Sequence, residues 1–467
     1  MLDNLFEIKF SQLNKTRRLE PRVYFYEKFY KESFSKMGLK VINLGDEESF
    51  SVSDGEHHHL KRQKSPGIRY LYGRNIKEGE VNFDEVSDSP YISANDFNNH
   101  PRIHLNNNDI LLTIVGTIGR SAVYREDIHD TCGIPRHIAK ITVKNNKISP
   151  YFISAFLRSK VGKLQQYSLI TGNNQPLLSL RNIKLLDIPL LKKNDLELVT
   201  QNEEKQIKLQ IEAKKALDKM NVLSKRIFPD LQPFKNKTMF YESNLNSIIE
   251  EKIFNAKFRY PSFVNNIELL NKSYSCHKLD ELCDMKSGDE VGSKNYIDYF
   301  KKSKEDIKFI RTTDITNHCI DHQPDFYVNK HDIKEAQENM EGDILFTKDG
   351  KIGVTGMITS TDKCFLASGI ERIRLKKDLS TNITAEYIFF CLRMNEIGRS
   401  QALMRTVYAS TIPHLREDRL GKVLIPEIQK NKIQTITALV KEYFEKKSRQ
   451  KVLMESSEKI LENYNHK

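Results

Sequence analysis

Asp109-Ile110-Leu111-Leu112-Thr113-Ile114-Val115-Gly116-Thr117-Ile118-Gly119 returns in the second half of the chain as Asp343-Ile344-Leu345-Phe346-Thr347-Lys348-Asp349-Gly350-Lys351-Ile352-Gly353. Both stretches read D-I-L-L/F-T-x-x-G-x-I-G. Further matches flank them in the same order. Upstream, Tyr70-Leu71 and Asn75-Ile76 answer to Phe309-Ile310 and Asp314-Ile315. Downstream, Phe152-Ile153 and Leu157-Arg158 answer to Tyr387-Ile388 and Leu392-Arg393, Pro176 to Pro413, and Ile188-Pro189 to Ile425-Pro426. Many matches in one order, at a nearly constant separation, signal a duplication. The chain reads as two copies of one domain.

Each copy is expected to be mixed α/β. Residues 110–114 and 344–347 are short apolar runs ending at glycines, the pattern of buried strands. The T-x-x-G-x-I-G segment then reads as a tight turn into a second strand, at 121–124 and 355–358, with glycine supplying positive φ or close backbone approach. Residues 150–164 and 384–403 carry helical spacing: Phe152, Ala155, Phe156 and Ser159 share one face, as do Tyr387, Phe390, Cys391 and Met394. A longer helical segment follows each copy, at 196–228 and 428–464. In the second, Ile433, Ile436, Val440, Tyr443, Lys447, Gln450, Met454, Ser457 and Leu461 step by threes and fours, an imperfect heptad seam. The first has a broader stripe without a clean heptad: Ile207, Ile211, Ala213, Leu217, Met220, Leu223 and Ile227. Neither helix can bury its stripe alone, so the two are expected to pair, antiparallel and pseudo-twofold, with one domain near each end. About 30 helical residues make a rod of roughly 45 Å, a little more than one B-DNA turn of roughly 34–36 Å.

The chain has 467 residues, 39% hydrophobic and 29% charged, which excludes a wholly disordered polyelectrolyte and a collagen-like repeat. Lys plus Arg is 74 and Asp plus Glu is 62, so the net charge is +12. Such an excess favours a polyanionic partner, nucleic acid by default. No apolar run approaches ~18 residues, so no membrane span is expected. Six cysteines without a targeting segment read as reduced thiols, and a cytoplasmic location is expected. The sequence holds no G-x-x-x-x-G-K-S/T phosphate loop, no G-x-S-x-G and no H-E-x-x-H, and its cysteines lack C-x-x-C spacing. No catalytic residue and no metal site is therefore assigned. His57-His58-His59 cannot easily converge on one ion, because consecutive side chains diverge along a strand; a loop touching phosphate or base, or plain exposure, fits better. Asp88-Ser89-Pro90-Tyr91 resembles the D/N-P-P-Y motif of adenine-N6 methyltransferases, but Ser89 replaces the first proline and no Gly-rich cofactor turn accompanies it. It reads as a turn. Gly116 and Gly119 with Arg120 are open to two readings, an anion site or turn geometry alone.

The duplicated block, the closing Ile-Pro pairs and the order domain, long helix, domain, long helix carry a family resemblance. Ser53-Asp54-Gly55-Glu56-His57-His58 followed by Gly67-Ile68-Arg69-Tyr70-Leu71 adds to it. The chain resembles the specificity (S) subunits of type I restriction–modification systems from about residue 19 to 464. The resemblance implies a first target-recognition domain at 1–194, a spacer helix at 195–231, a linker at 232–246, a second target-recognition domain at 247–427 and a second spacer helix at 428–467. It implies a non-catalytic reader of a bipartite, asymmetric double-stranded DNA site that scaffolds two methyltransferase (M) subunits and restriction/translocase (R) subunits. S-adenosylmethionine and ATP/Mg then belong to those partners, with no cofactor in this chain. The Arg17-Arg18 lead-in departs from the family pattern.

In such domains Lys and Arg on phosphates supply affinity and base edges supply specificity. The loop candidates for DNA contact in the first copy are His57, His58, Lys61, Arg62, Lys64, Arg74, Arg120, Arg136, Asn173, Asn174 and Gln175. In the second they are Arg311, Lys348, Lys351, Arg405, Tyr408, His414 and Arg416. Positions where the copies differ, Ile114 against Lys348 and Thr117 against Lys351, are expected to distinguish the half-sites, with both lysines on a DNA-facing edge. Competing readings are a recognition subunit of another antiphage DNA-modification system, a self-sufficient DNA methyltransferase, and a structural RNA-binding protein.

Overall fold

The computed structural model describes residues 33–63, 67–77, 79–81, 90–129, 131–145, 148–172, 175–232, 240–242, 246, 249, 255–333, 337–407 and 412–464. Most of the expected linker at 232–246, the Arg17-Arg18 lead-in, Asp88-Ser89, Lys64, Asn173, Asn174 and Tyr408 lie outside them. The chain divides into two compact units. Unit 1 is Met1–Lys208 with Val452–Lys467, and unit 2 is Leu209–Lys451.

In unit 1 a four-stranded antiparallel sheet runs in the order Phe50–Asp54, Ile138–Val143, Ile110–Thr113, Ser121–Val123. The strand Ile110–Thr113 is buried throughout. Ile110 and Leu112 join a core with Phe152, Phe156 and Leu157, whereas Leu111 joins another with Leu71, Ala122 and Ile134. Both faces of this strand are covered, which is why the sequence shows a continuous apolar run rather than alternation. A second sheet orders Tyr91–Ile92, Ile68–Tyr70 and Cys132–Gly133, the last pair parallel. Lys40–Asn43 pairs with Asp187–Leu190.

Unit 2 repeats this arrangement, with one further strand in its second sheet. Its main sheet is Cys283–Ser287, Ile370–Leu375, Ile344–Thr347, Thr355–Met357. Its second sheet orders Ile297–Asp298, Phe326–Asn329, Asp306–Ile310 and Cys364–Leu366, again with the last pair parallel. Ser275–Lys278 pairs with Leu424–Glu427. Two domains that share the main sheet, the parallel pair and the closing antiparallel pair account for the mixed α/β class.

The single helices expected at 150–164 and 384–403 are each broken. Pro150–Arg158 gives way to Lys160–Ser168 at Ser159, which is extended (φ −63, ψ 163) and caps Gly162 through its hydroxyl. Ala385–Arg393 gives way at Met394 (φ −69, ψ 131) to a π-turn, Asn395–Arg399, and then to Ser400–Arg405. Each elbow needs a glycine: a Cβ on Gly162 would stand 2.0 Å from the Phe156 carbonyl oxygen, and one on Gly398 would stand 2.3 Å from that of Leu392.

The long helices are Lys193–Ile227 and Lys430–Glu462. Of the nine seam positions read in the second, all but the half-buried Met454 are buried, including Lys447, Gln450 and Ser457. Along the first, Val199, Asn202, Glu203, Gln206, Ile207, Ala213, Ala216, Met220 and Ile227 are buried, a stripe broader than a single heptad seam in its first half. An apolar-only reading passes over its polar members Asn202, Glu203 and Gln206. In unit 1 the helix ends run antiparallel. Tyr464 donates its hydroxyl to Asp195, and Asn202 Nδ2 reaches Ser456 Oγ at 3.2 Å. In unit 2 Glu212 pairs with Lys446 at 2.7 Å, and Ala213, Ala216 and Met220 share a core with Ile433, Ile436 and Val440. Equivalent arginines tie each elbow to the first long helix. Arg158 Nη2 meets Glu203 at 2.6 Å in unit 1, and Arg393 Nη2 meets Asn221 Oδ1 at 2.7 Å in unit 2.

Candidate nucleic-acid interface

The repeated turn organises one corner of the main sheet in each unit. Gly116 and Gly119 have φ of 74 and 91, a region that L side chains avoid, and Gly350 and Gly353 repeat it at 68 and 89. Gly119 N donates to the Thr113 carbonyl, and Gly116 N donates to that of Pro176. In unit 2, Gly353 N and Gly350 N donate likewise to Thr347 and Pro413. These amides are consumed inside the fold, so the G-x-x-G segment is a turn rather than an anion cradle. The loop it grips, 171–178, carries the exposed Gln175.

Around this corner in unit 1 lies a cavity of about 220 Å³. Ile114 N donates to the His137 carbonyl, and Glu56 bridges to Pro135, which brings the loop 56–62 against the segment 135–137. His57, His58, Arg62 and Arg136 line the cavity, together with His59 and His137. His59 belongs to the histidine run already read as a loop that could touch phosphate or base, whereas His137 was missed by sequence reasoning. Its adjacency to Arg136 was the available signal. Arg62 donates to the Tyr72 hydroxyl at 2.5 Å, and Arg62 and Arg74 both sit over the Tyr72 ring, 5.1 and 4.7 Å from its centroid. Such stacking holds guanidinium groups in place at a surface. Tyr72, beside Arg74 in sequence, was also missed. Lys61 is exposed on the same loop, and Arg120 is half-buried where the turn ends.

Glu56 shapes the loop. Its Oε1 accepts from the backbone N of His58 (3.0 Å), from the His58 ring (2.8 Å) and from the backbone N of His57 (2.8 Å). These donors, chiefly the two from His58, pull its pKa down from 4.5 to about 2. A lowered carboxylate pKa stabilises the loop above about pH 4.3 and loses that effect as pH falls towards the folded value. The His57 and His58 amide resonances are therefore expected to titrate with a midpoint near 2; a midpoint near 4.5 would show that the carboxylate is not held. His57 also pairs with Asp54 at 2.9 Å, and Arg102 reaches the same carboxylate. Burial, then Arg136 and Arg62, hold His137 below the ordinary imidazole value.

In unit 2 the candidates separate. Lys348 is not at an exposed edge. It is buried, with Nζ on Ser287 Oγ and 3.2 Å from Glu371, which is wholly buried. Arg405 is likewise internal, donating to the Gln401 carbonyl at 3.0 Å beneath Phe258. Both were read from sequence as loop cations, and both serve the interior, because an ammonium or guanidinium deprived of water must find partners there. Arg311 is held by Asp314 (3.3 Å) and Asp325 (3.0 Å) over the Phe326 ring. His414 bonds Asp349, and the exposed Arg416 pairs with Asp418 at 3.1 Å. Lys351 is exposed on the turn, with no partner for its ammonium among the described residues. Where unit 1 places Glu56, His57, Arg136 and His137, unit 2 places Asp289, Glu290, Ser368 and Gly369.

Among the described residues no group of His, Cys, Asp and Glu is placed to hold a metal ion, and no helix is long and apolar enough to cross a membrane. Residues 271–453, which span most of unit 2, match the sequence model of the type I restriction modification DNA specificity domain.

This segment belongs to that domain family.

The type I restriction enzyme EcoBI specificity subunit of Escherichia coli is 32% identical over 127 residues. That alignment covers 27% of this chain and about a quarter (25%) of the relative. Two solved structures align with most of the chain, at low identity and low TM-score. The type I restriction-modification S subunit from M. genitalium has 12% identity, covers 91% of this chain and 96% of its own, and gives a TM-score of 0.40. The HsdS subunit from Thermoanaerobacter tengcongensis has 15% identity, 91% and 96% coverage, and a TM-score of 0.29. Unit 1 repeats the topology of the specificity domain in unit 2, with its own corner side chains.

Proposed function

We propose that the chain is a non-catalytic specificity subunit that reads a bipartite, asymmetric double-stranded DNA site. One recognition domain serves each half-site. The carrying observation is that a DNA specificity domain occupies unit 2 and that unit 1 repeats its topology with different side chains at the same corner. Two readers of one fold and unlike chemistry suit two unlike half-sites. Phosphate contacts would set register, and the corner loops would meet base edges in the grooves. His57, His58, Lys61, Arg62, Arg74, Arg120, Arg136 and Gln175 are the proposed contacts in unit 1, and Arg311, Lys351, His414 and Arg416 those in unit 2. The paired long helices would set the spacing and dock two methyltransferase subunits, with restriction/translocase subunits completing the complex. S-adenosylmethionine, ATP and Mg would act on those partners, in the cytoplasm.

Methylome sequencing of host DNA with and without the gene tests this. Deletion is expected to remove one bipartite adenine-methylation motif from the genome completely. An unchanged methylome in a host that expresses the chain and its methyltransferase would overturn the reading.

A further inference from the structure

The corner of unit 1 that holds the cavity differs in charge from the equivalent corner of unit 2. We propose that it is a phosphate subsite, which takes one backbone phosphodiester together with a proton captured by the surrounding histidines. This rests on the nucleic-acid reading above and names the chemistry of that corner.

Size comes first. At about 220 Å³ the cavity is smaller than the ~300–1,000 Å³ of ordinary ligand pockets, which suits a single small anion and a few waters. Charge comes second. Arg62 and Arg136 supply two guanidinium groups. His57, His58 and His59 supply imidazoles from one side, and His137 supplies another from the opposite segment. The one carboxylate in the lining among the described residues, Glu56, is already engaged by two amides and an imidazole of its own loop. Asp54, behind His57, is engaged by His57 and by Arg102. Leu60, Tyr70 and Pro135 form apolar wall, which strengthens charge interactions at the mouth.

The histidines couple anion and proton. Arg136 and Arg62 disfavour a second positive charge on His137, after the effect of its burial. An entering phosphate reverses that field, so an imidazole there gains a proton as the anion binds. In unit 2 Glu290, Ser368 and Gly369 stand where unit 1 has His57, Arg136 and His137, so that corner lacks these cationic and titratable groups. The two recognition corners thus differ in what they do with a phosphate as well as in which bases they face.

The test uses the full chain labelled in its histidine rings, with dimethyl phosphate, a phosphodiester that does not itself titrate near neutral pH, added at constant ionic strength. The diester is expected to shift the His137 ring signal and to bind up to about tenfold more tightly at pH 6.5 than at pH 7.5 for each proton captured. Arg62→Ala combined with Arg136→Ala should abolish the shift. Both side chains are exposed, so the fold should survive. Duplex DNA is titrated in parallel. If duplex binds while the diester leaves the rings unmoved, the subsite is wrong and DNA reading stands. If the diester acts and duplex does not bind, DNA reading is wrong and the subsite stands. Equal shifts from chloride at the same ionic strength would reduce the effect to screening and overturn the subsite.

Discussion

Lys348→Met is expected to destabilise the protein by about 3–5 kcal/mol, and adding Glu371→Ala to restore most of that loss. Lys348 and Glu371 face each other at 3.2 Å across neighbouring strands, with side chains 10% and 0% exposed. Ser287 bonds both: its hydroxyl donates to Glu371 at 2.7 Å and accepts from Lys348. Removing one member leaves the other charge buried without compensation, and that penalty dominates. Removing both costs little, as unit 1 illustrates. There the equivalent positions are Ile114 and Ala139, an apolar pair in the same register. Lys348→Ile with Glu371→Ala therefore transplants a solution the fold already uses.

The pH dependence has a definite sign. Burial, only partly opposed by Ser287 and Lys348, raises the Glu371 carboxyl above its ordinary value. The folded state then holds a proton that the unfolded chain has released. Stability from this group is full below about pH 4.3 and declines as pH rises through the raised value. Lys348→Met should steepen that decline, and the double variant should remove it. At ~2–4 °C per kcal/mol for a unit of this size, the single variant melts about 6–20 °C lower near neutral pH. A shift below about 2 °C would mean that water reaches the pair and that the burial is wrong.

The same pair shows what the sequence could and could not tell. The duplication was legible because eleven-residue blocks recurred with their flanks in order, and strands, turn and seam followed from local spacing. Burial of Lys348 was not legible from its own neighbourhood, since a lysine after a strand ordinarily marks a surface. The signal lay in comparing copies at two positions together: Ile114 with Ala139 became Lys348 with Glu371. A charge that appears alone on a reading edge and a charge that appears with an opposite charge across the sheet are different events. Part of the buried stripe of the first long helix was hidden for a related reason. Asn202, Glu203 and Gln206 are buried, and an apolar-only count passes over them. At the unit 1 corner the cationic residues were visible singly, but their convergence depends on a parallel bridge between Glu56 and Pro135, which no local pattern announces.

Gly162→Ala and Gly398→Ala give the other large expected effect, and here the sign itself is diagnostic. Both glycines stand in helical turns with ordinary negative φ, as neither is among the positive-φ residues. On intrinsic propensity alone, alanine would stabilise each helix by about 1 kcal/mol. The packing says the opposite. The new Cβ on Gly162 would lie 2.0 Å from the Phe156 carbonyl oxygen, and that on Gly398 would lie 2.3 Å from Cα and O of Leu392. All of these atoms are backbone, in helices that form the cores of their units, so no rotamer change relieves the contact. The elbow must open, at a cost at or above the ~3 kcal/mol end of overpacking. Opening it also displaces Arg158 from Glu203, or Arg393 from Asn221, and loosens each domain's hold on the first long helix. Gly116→Ala separates the two kinds of glycine. At φ 74 with no atom within 4 Å, it should cost only the ~1–2 kcal/mol of left-handed backbone. Equilibrium unfolding of the three variants should rank both elbow glycines well above the turn glycine. Stabilisation by either elbow alanine would mean that the helices run through without a break.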